Sequence, residues 1–318
     1  MIGNTPMVKI KYRYKGKEQS VYAKIESYNL TGSIKDRVAY YILSKAKERG
    51  ELQPNMPIVE ATSGNTGISL AALAAYYNHP CHIYMPDWVS VERKQIMKLF
   101  GANVTLFSKE EGGFSRCIQE AKQFAKEHNG FLANQFSNLD NVLAHYETTG
   151  KEITQSVYPI DGFVSGIGTG GTLMGIGKRI LEENPNAIIC ALEPDTMALL
   201  SGGEVTSHKI EGIGDDFIPE IVDQKQIEEV IQIHDTDAIA MARKLGSELG
   251  LGVGISSGAN FIGAILLKEK IDGNIVTVFP DDHKKYLTTD LTSSEKMDAS
   301  ISDQVELLDY QVVVDSVK

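Results

Sequence analysis

Val21-Tyr22-Ala23-Lys24-Ile25-Glu26, followed by Asn29-Leu30-Thr31-Gly32-Ser33-Ile34-Lys35-Asp36-Arg37, is the stretch that decides how this 318-residue chain is read. The first segment alternates like a strand, and the second is a polar turn containing glycine. Val38, Ile42, Leu43 and Ala46 then fall at helical spacing. Lys35 therefore stands in the first turn of a helix, where the macrodipole disfavours a cation. That placement predicts a lowered pKa, which an amine needs to form a Schiff base. A lone lysine of this kind is more often a solvated surface residue, so its meaning depends on the rest of the chain.

Working outward, short apolar segments alternate with helical ones. Ile58-Val59-Glu60 leads through a glycine-rich turn into a helix over Ile68 to Tyr77, and His82 to Met85 precedes a helix over Val91 to Phe100. A strand over Asn103 to Phe107, a helix over Phe114 to His128, a short strand at Phe131 to Ala133 and a helix near Tyr146 to Val157 follow. Gly162 to Ser165, Ala187 to Leu192 and Asn274 to Phe279 read as further strands. The pattern predicts an α/β protein with mainly parallel sheets flanked by helices, their strands buried on both faces. From about Asp290 the pattern weakens, apart from a strand-like run at Tyr310 to Val314, and this tail reads as peripheral, docked on a partner subunit.

Composition narrows the function. Hydrophobic residues make up 42% and charged residues 23%, ordinary for a globular protein, and the net charge of −11 argues against nucleic acid or an anionic membrane as partner. No apolar run approaches the roughly 20 residues of a membrane span, and no signal-peptide pattern opens the chain. Cys81, Cys117 and Cys190 are widely spaced and lack any CxxC, so they read as free cytoplasmic thiols. The histidines show no ligand spacing, and no metal is expected.

Two glycine-rich loops follow predicted strands and open predicted helices. Thr62-Ser63-Gly64-Asn65-Thr66-Gly67 offers amides and hydroxyls at a helix N-terminus, a nest for a carboxylate or phosphate, although a plain structural turn accounts for it equally well. Gly166-Ile167-Gly168-Thr169-Gly170-Gly171-Thr172 spells GxGxxG, with Glu193 about 20 residues on, the layout of a dinucleotide fold. An NAD-dependent dehydrogenase is therefore a competing reading. Thr169 and Thr172 favour a terminal phosphate monoester, whose three outward oxygens need more donors than a buried pyrophosphate supplies. An imine-forming lysine, an anion nest and a Gly/Thr phosphate cup together suggest pyridoxal phosphate.

With these motifs in view, the chain resembles the fold-type II pyridoxal-phosphate enzymes of the cysteine synthase and cystathionine β-synthase family. The likeness runs from Ile2-Gly3-Asn4-Thr5-Pro6 to Phe279-Pro280-Asp281. It includes Met85-Pro86, Ser90 with Glu92-Arg93, Gly101-Ala102, Gln135-Phe136, His145-Tyr146-Glu147-Thr148-Thr149-Gly150 and Gly254-Ile255-Ser256-Ser257-Gly258-Ala259, all in family order. The resemblance implies two α/β domains of the tryptophan synthase β-like kind: a larger cofactor-anchoring domain over 1–34 and 146–318, and a smaller movable one over 35–145. It implies that Lys35 carries the cofactor, Asn65 bonds its phenolic oxygen, and Gly168, Thr169, Gly170, Gly171 and Thr172 hold its phosphate. Ser256 would face the pyridine nitrogen, where a neutral hydroxyl makes the ring a weaker electron sink than a carboxylate would. Thr62, Ser63, Thr66 and Gln135 would clamp the substrate carboxylate. The freed Lys35 would take the α-proton, the β-substituent would leave, a nucleophile would add, and the proton would return.

Departures from the family bear on the reaction. Glu211-Gly212-Ile213-Gly214-Asp215-Asp216-Phe217-Ile218-Pro219 carries Asp215 where cysteine synthases usually have a small residue and cystathionine β-synthases often a tyrosine. A partly desolvated carboxyl there is expected to have a raised pKa, to shuttle protons and to repel hydrosulfide. This favours consumption of L-cysteine with release of hydrogen sulfide, water or a thiol adding in its place. An O-acetylserine sulfhydrylase with Asp215 turned to solvent, or a cystathionine β-synthase acting on serine, remain alternatives, and a catalytically silent binding module is a third class. Leu30 replaces the usual proline before Thr31-Gly32. The animal-type architecture with a haem-binding extension and a regulatory domain is not expected, and residues ahead of Met1 are compatible with so abrupt a start. A homodimer is the family expectation.

Overall fold

The computed structural model describes residues 1–203, 205–295 and 297–314. Met7–Tyr14 (β1) alternates Val8, Ile10, Tyr12 and Tyr14, all buried, with basic residues, so one face of the strand is apolar. Lys15 and Gly16 follow at φ 49° and 77°, two left-handed residues whose twist suits a tight hairpin. Lys17–Ile25 (β2) returns antiparallel, with Met7 opposite Lys24 and Tyr14 opposite Lys17.

Next come Lys35–Glu48 (α1), Ile58–Ala61 (β3), Asn65–Tyr77 (α2), Cys81–Pro86 (β4), Val91–Leu99 (α3), Asn103–Phe107 (β5), Gly113–Glu127 (α4) and Phe131–Leu132 (β6). The strands pair in parallel in the order β5-β4-β3-β6. Successive strand residues point to opposite faces. Ile58 and Ile83 accordingly pack with α1 and α2, while Val59 and Tyr84 pack with Cys117, Ala121 and Ala125 of α4.

The second half continues with Asp140–Ala144 (α5), a π-helical turn at His145–Gly150, and Lys151–Ser156 (α6), which together form one helical run. Gly162–Gly166 (β7), Gly171–Glu183 (α7), Ile188–Pro194 (β8), Glu229–Ile233 (β9), Asp235–Leu249 (α8), Ile255–Lys268 (α9), Ile275–Phe279 (β10) and Val305–Val312 (β11) complete the chain. Among the described residues they form a seven-stranded sheet with the hairpin, in the order β11-β1-β2-β10-β7-β8-β9. β2, β10, β7, β8 and β9 run parallel, and β11 and β1 extend the sheet antiparallel. Phe163, Ile189, Val276 and Val278 meet Leu173, Ile176 and Ile180 of α7 on one face. Val164, Cys190 and Leu192 meet Ala259, Ile262 and Ala264 of α9 on the other. Every residue of β10 is buried, which is why it shows no alternation. The architecture is the expected α/β one, two mainly parallel sheets flanked by helices.

Two expectations need correction. The helix expected near Tyr146 begins at Asp140, because Asn138 Oδ1 accepts from Asp140 N (3.0 Å) and opens the turn earlier. The tail packs on its own chain, since β11 pairs with β1 from Val8↔Val312 to Tyr14↔Val305 and covers an edge that would otherwise present unpaired amides. Residues 296 and 315–318 of that tail lie outside the described residues.

Candidate active site

The carboxyl ends of β3 and β7 point toward one cleft between the two sheets, where open α/β sheets bind ligands. The cleft encloses about 780 Å³ including its open mouth. Lys35, Thr62, Ser63, Asn65, Thr66 and Gln135 line one side of it. Gly168, Thr169, Gly170, Thr172, Asp215 and Ser256 line the other. Of the residues singled out in the sequence, Gly171 alone is absent from the lining. A Cβ there would lie 2.0 Å from Asn141 Oδ1, so its bareness admits Asn141 behind the cup.

Lys35 opens α1 and is half-buried at the cleft floor. Burial pulls its pKa down from 10.5 to about 8, against an opposing upward pull from Asp215. The lowered pKa expected from the sequence is present, with desolvation as its main cause. Asp215 is the mirror case: burial and the neighbouring Asp216 raise it from 3.8 to about 6, and Lys35 draws it back down. Its place is secured by lacing between two loops. Gly214 N donates to Ile167 O (2.8 Å), and a Cβ on Gly168 would sit 2.4 Å from the Gly212 carbonyl oxygen. Only glycine at 168 lets the Asp215 loop close over the cup.

The first loop is similarly built. Thr62 Oγ1 accepts from Gly64 N (3.0 Å), and Thr66 Oγ1 donates to Gln135 Oε1 (2.6 Å). Gln135 Nε2 reaches Ala61 O (3.3 Å), and Gln135 N donates to the buried Glu60 carboxylate (3.1 Å). Burial raises Glu60 from 4.5 to about 7, although the amides of Gln135, Ala61 and Asn134 favour its charged form. Asn65 Nδ2 donates to Asp281 Oδ2 (2.8 Å), while Asn65 Oδ1 is buried without a partner.

Other cleft residues escape a reading of sequence alone. Arg93, almost wholly buried, pairs with Glu211, bonds Ser90 Oγ (3.1 Å) and lies over the Tyr286 ring at 4.5 Å. Phe136 stands edge-on to Phe217, 5.0 Å between centroids. Arg93 and Phe136 do occur in quoted motifs, but Glu211, Tyr286 and Phe217, which they meet in the cleft, lie more than eighty residues away. Glu193, the acidic residue of the dinucleotide reading, accepts from Leu200 N (2.9 Å), Ser201 N (3.1 Å) and Ser201 Oγ. A carboxylate so occupied has little left to offer a ribose, which removes the basis of the dehydrogenase reading.

The cleft fits pyridoxal phosphate on its own evidence. It has a primary amine of lowered pKa at the floor, an orphaned amide oxygen on Asn65, and a glycine and threonine cup at the N-terminus of α7 with Gly170 at φ 87°. Fold and site thus define a pyridoxal-phosphate-dependent enzyme of fold type II. Residues 1–281 match the family of pyridoxal-phosphate dependent enzymes. Cysteine synthase of Staphylococcus aureus is 39% identical over 297 residues, covering 92% of this chain and 96% of that protein. A hydrogen sulfide-producing enzyme from Fusobacterium nucleatum is 52% identical, with TM-score 0.94 over 98% of this chain and 97% of that one. An aspartate-to-asparagine variant of it, in complex with an α-aminoacrylate intermediate, gives TM-score 0.93 over 96% of this chain and 95% of that one. An O-acetylserine dependent cystathionine β-synthase from Helicobacter pylori is 35% identical, with TM-score 0.85 over 92% and 97%. The chain belongs to the cysteine synthase and cystathionine β-synthase family, and catalyses pyridoxal-phosphate-dependent β-elimination and β-replacement in cysteine and sulfur metabolism.

Among the described residues no helix is long and apolar enough to cross a membrane, and no cluster of His, Cys, Asp or Glu is arranged to hold a metal. The three cysteines are buried and unpaired, and burial pushes each thiol up to about 12.

Proposed function

We propose that this enzyme consumes L-cysteine, releases hydrogen sulfide, and completes the reaction with water or a second thiol. The observation that carries the reading is Asp215, whose carboxyl sits in the cleft with a pKa raised to about 6. Bound pyridoxal phosphate supplies the electron sink that allows bonds at Cα and Cβ to break. Thr62, Ser63, Thr66 and Gln135 hold the substrate carboxylate, and Lys35, once free, takes the Cα proton and later returns it. Gly168 to Thr172 hold the cofactor phosphate, Asn65 its phenolic oxygen and Ser256 its ring nitrogen. Asp215 hands a proton to the departing sulfur and takes one from the incoming water or thiol. A pKa near the working pH suits both transfers. An ionised Asp215 repels hydrosulfide, which disfavours the reverse synthesis of cysteine.

The 35–145 unit closes over the larger 1–34 and 146–318 unit to exclude water until the sulfur has left. The enzyme works as a cytoplasmic homodimer. Two structures of one relative support the sulfide reading: the hydrogen sulfide-producing enzyme itself, and its aspartate-to-asparagine variant with an α-aminoacrylate intermediate. The cysteine synthase likeness favours the competing use of O-acetylserine and sulfide. Visible spectra of the holoenzyme, recorded with L-cysteine and separately with O-acetylserine while sulfide is assayed, test the choice. A shift with cysteine accompanied by sulfide supports the proposal, and a shift only with O-acetylserine, reversed by sulfide, overturns it.

A further inference from the structure

Behind the phosphate cup runs the helix that starts at Asp140, and two side chains one turn apart on it face the two cup threonines. Asn141 is fully buried, and its Nδ2 donates to Thr169 Oγ1 (3.0 Å) and to Gln135 O (2.8 Å). His145, also fully buried, meets Thr172 Oγ1 through Nε2 (3.3 Å) and Thr149 Oγ1 through Nδ1 (3.0 Å). The π-helical turn begins at His145, and such turns re-aim side chains within a helix. A spacing of four residues puts both groups on one face.

We infer that Asn141 is a positioning residue that couples the loop gripping the substrate carboxylate to the cup gripping the cofactor phosphate, with His145 as a second brace. The inference rests on the roles proposed above for Gln135 and for the cup. A threonine hydroxyl has one hydrogen to give and two lone pairs to accept with. Thr169 Oγ1 accepts from Asn141 Nδ2 and from Gly171 N (3.4 Å), so both lone pairs are engaged. Its remaining hydrogen has to be donated, and the cleft, which Thr169 lines, is where a phosphate oxygen receives it. Asn141 thereby sets the polarity of a cup donor that it does not itself accompany into the cleft.

The same amide holds the other site. Gln135 is fixed at N by Glu60 and at O by Asn141, while its side chain meets Thr66 and Ala61. Losing Asn141 frees the Thr169 hydroxyl to turn inward and strips the Gln135 carbonyl of its donor, so both grips loosen together. The absence of a Cβ on Gly171 is what lets Asn141 reach this position. His145 acts on Thr172 in parallel: a neutral ring donating from Nε2 leaves the Thr172 hydrogen for the cleft. Burial holds the imidazole well below its ordinary pKa, with Lys35 and Arg37 lowering it further, which keeps the ring in that neutral form.

The test is a double-mutant cycle with Asn141→Ala and Thr169→Ala. Pyridoxal phosphate affinity is titrated on apoprotein, and the ³¹P resonance of the bound cofactor is recorded. Each single change is expected to weaken cofactor binding by about 10-fold, and the pair no more than either alone. The ³¹P signal moves in both variants. With saturating cofactor, Asn141→Ala also raises KM for L-cysteine, or for O-acetylserine if that is the substrate, more than it lowers kcat, whereas Thr169→Ala leaves KM in place. The affinity and ³¹P readouts do not depend on which amino acid is consumed, so they separate this inference from the proposed reaction. Wild-type cofactor affinity in Asn141→Ala, or penalties that multiply in the double variant, overturns it. If Asn141→Ala does not fold, Asn141→Ser replaces it in the same cycle, with the same outcomes decisive.

Discussion

Lys35 and Asp215 line the same cleft, and each moves the other's ionisation toward the charged form while burial moves both toward neutral. The balance leaves an amine at about 8 and a carboxyl at about 6, so their pKa values lie close enough for protons to be handled by either near neutrality.

Replacing Asp215 by Asn removes the proposed second proton carrier while keeping its shape. Cysteine-dependent sulfide release should fall by roughly 10²-fold, the low end for a general acid or base. In the wild type, sulfide release should decline as pH rises above about 6 and Asp215 loses the proton it hands to the departing sulfur, and Asp215→Asn should lose that limb. Steady-state sulfide assays across pH decide it, and full activity in the variant removes Asp215 from the chemistry.

Cofactor capture should report Lys35 directly. Only the neutral amine attacks an aldehyde, so apoprotein should take up pyridoxal phosphate faster as pH rises and level off above about 8. An ordinary lysine would still be accelerating at 10. Stopped-flow absorbance of the visible band gives the profile, and Lys35→Ala should form no such band.

Glu60 ties stability to pH. Its carboxyl titrates at 4.5 when unfolded and at about 7 in the fold, so between those values the native state holds a proton that the unfolded chain lacks. Its stabilising contribution is complete below about pH 4.5 and is lost as pH rises toward 7. The difference in denaturant midpoint between wild type and Glu60→Gln should carry this slope. Glu60→Gln should also raise KM, because its amide cannot accept from both Ala61 N and Gln135 N.

Arg37 anchors the start of α1 through a buried network. Its guanidinium meets Glu26 Oε2 (2.6 Å) and Glu152 Oε1 (2.7 Å), and Lys24 Nζ also reaches Glu152 (2.8 Å). Arg37→Ala leaves the wholly buried Glu26 uncompensated, and breaking such a pair costs about 3–5 kcal/mol. Chemical denaturation of the apoprotein measures it. A smaller cost in Arg37→Ala combined with Glu26→Gln would show that the stranded charge is responsible.

Much of the site is legible in sequence because it is local. Lys35, Asn65 and Gly168 to Thr172 each lie on a strand-to-helix turn whose residues announce the backbone they need, and Asp215 stands out as a carboxyl within a glycine loop. β1 carries the same kind of signal in its strict alternation of Val8, Ile10, Tyr12 and Tyr14 with basic residues. Asn141 and His145 are different. Their partners Thr169 and Thr172 lie 28 and 27 positions away, so nothing nearby declares the contact; the clue is two polar residues at i and i+4 on a helix face that packs inward. Glu60 hides for a similar reason, since a carboxyl ending an apolar strand shows its purpose only when the amides of Ala61 and Gln135 turn toward it. The docking of the tail on its own sheet depends on register, which the weak patterning after Asp290 leaves open.

The pairing of Val8 with Val312 joins two strands with almost the whole sequence between them. On the ribosome, β1 and β2 emerge before the other strands of their sheet, and the outer edge of β1 stays bare until the segment carrying β11 has been made. During that interval the nascent hairpin exposes a ladder ready to accept any extended segment, its own or a neighbour's. Completion of the sheet is therefore a late event in the life of each molecule. A ribosome that stops before residue 305 leaves a product whose catalytic cleft is encoded in full but whose oldest strand still seeks a partner.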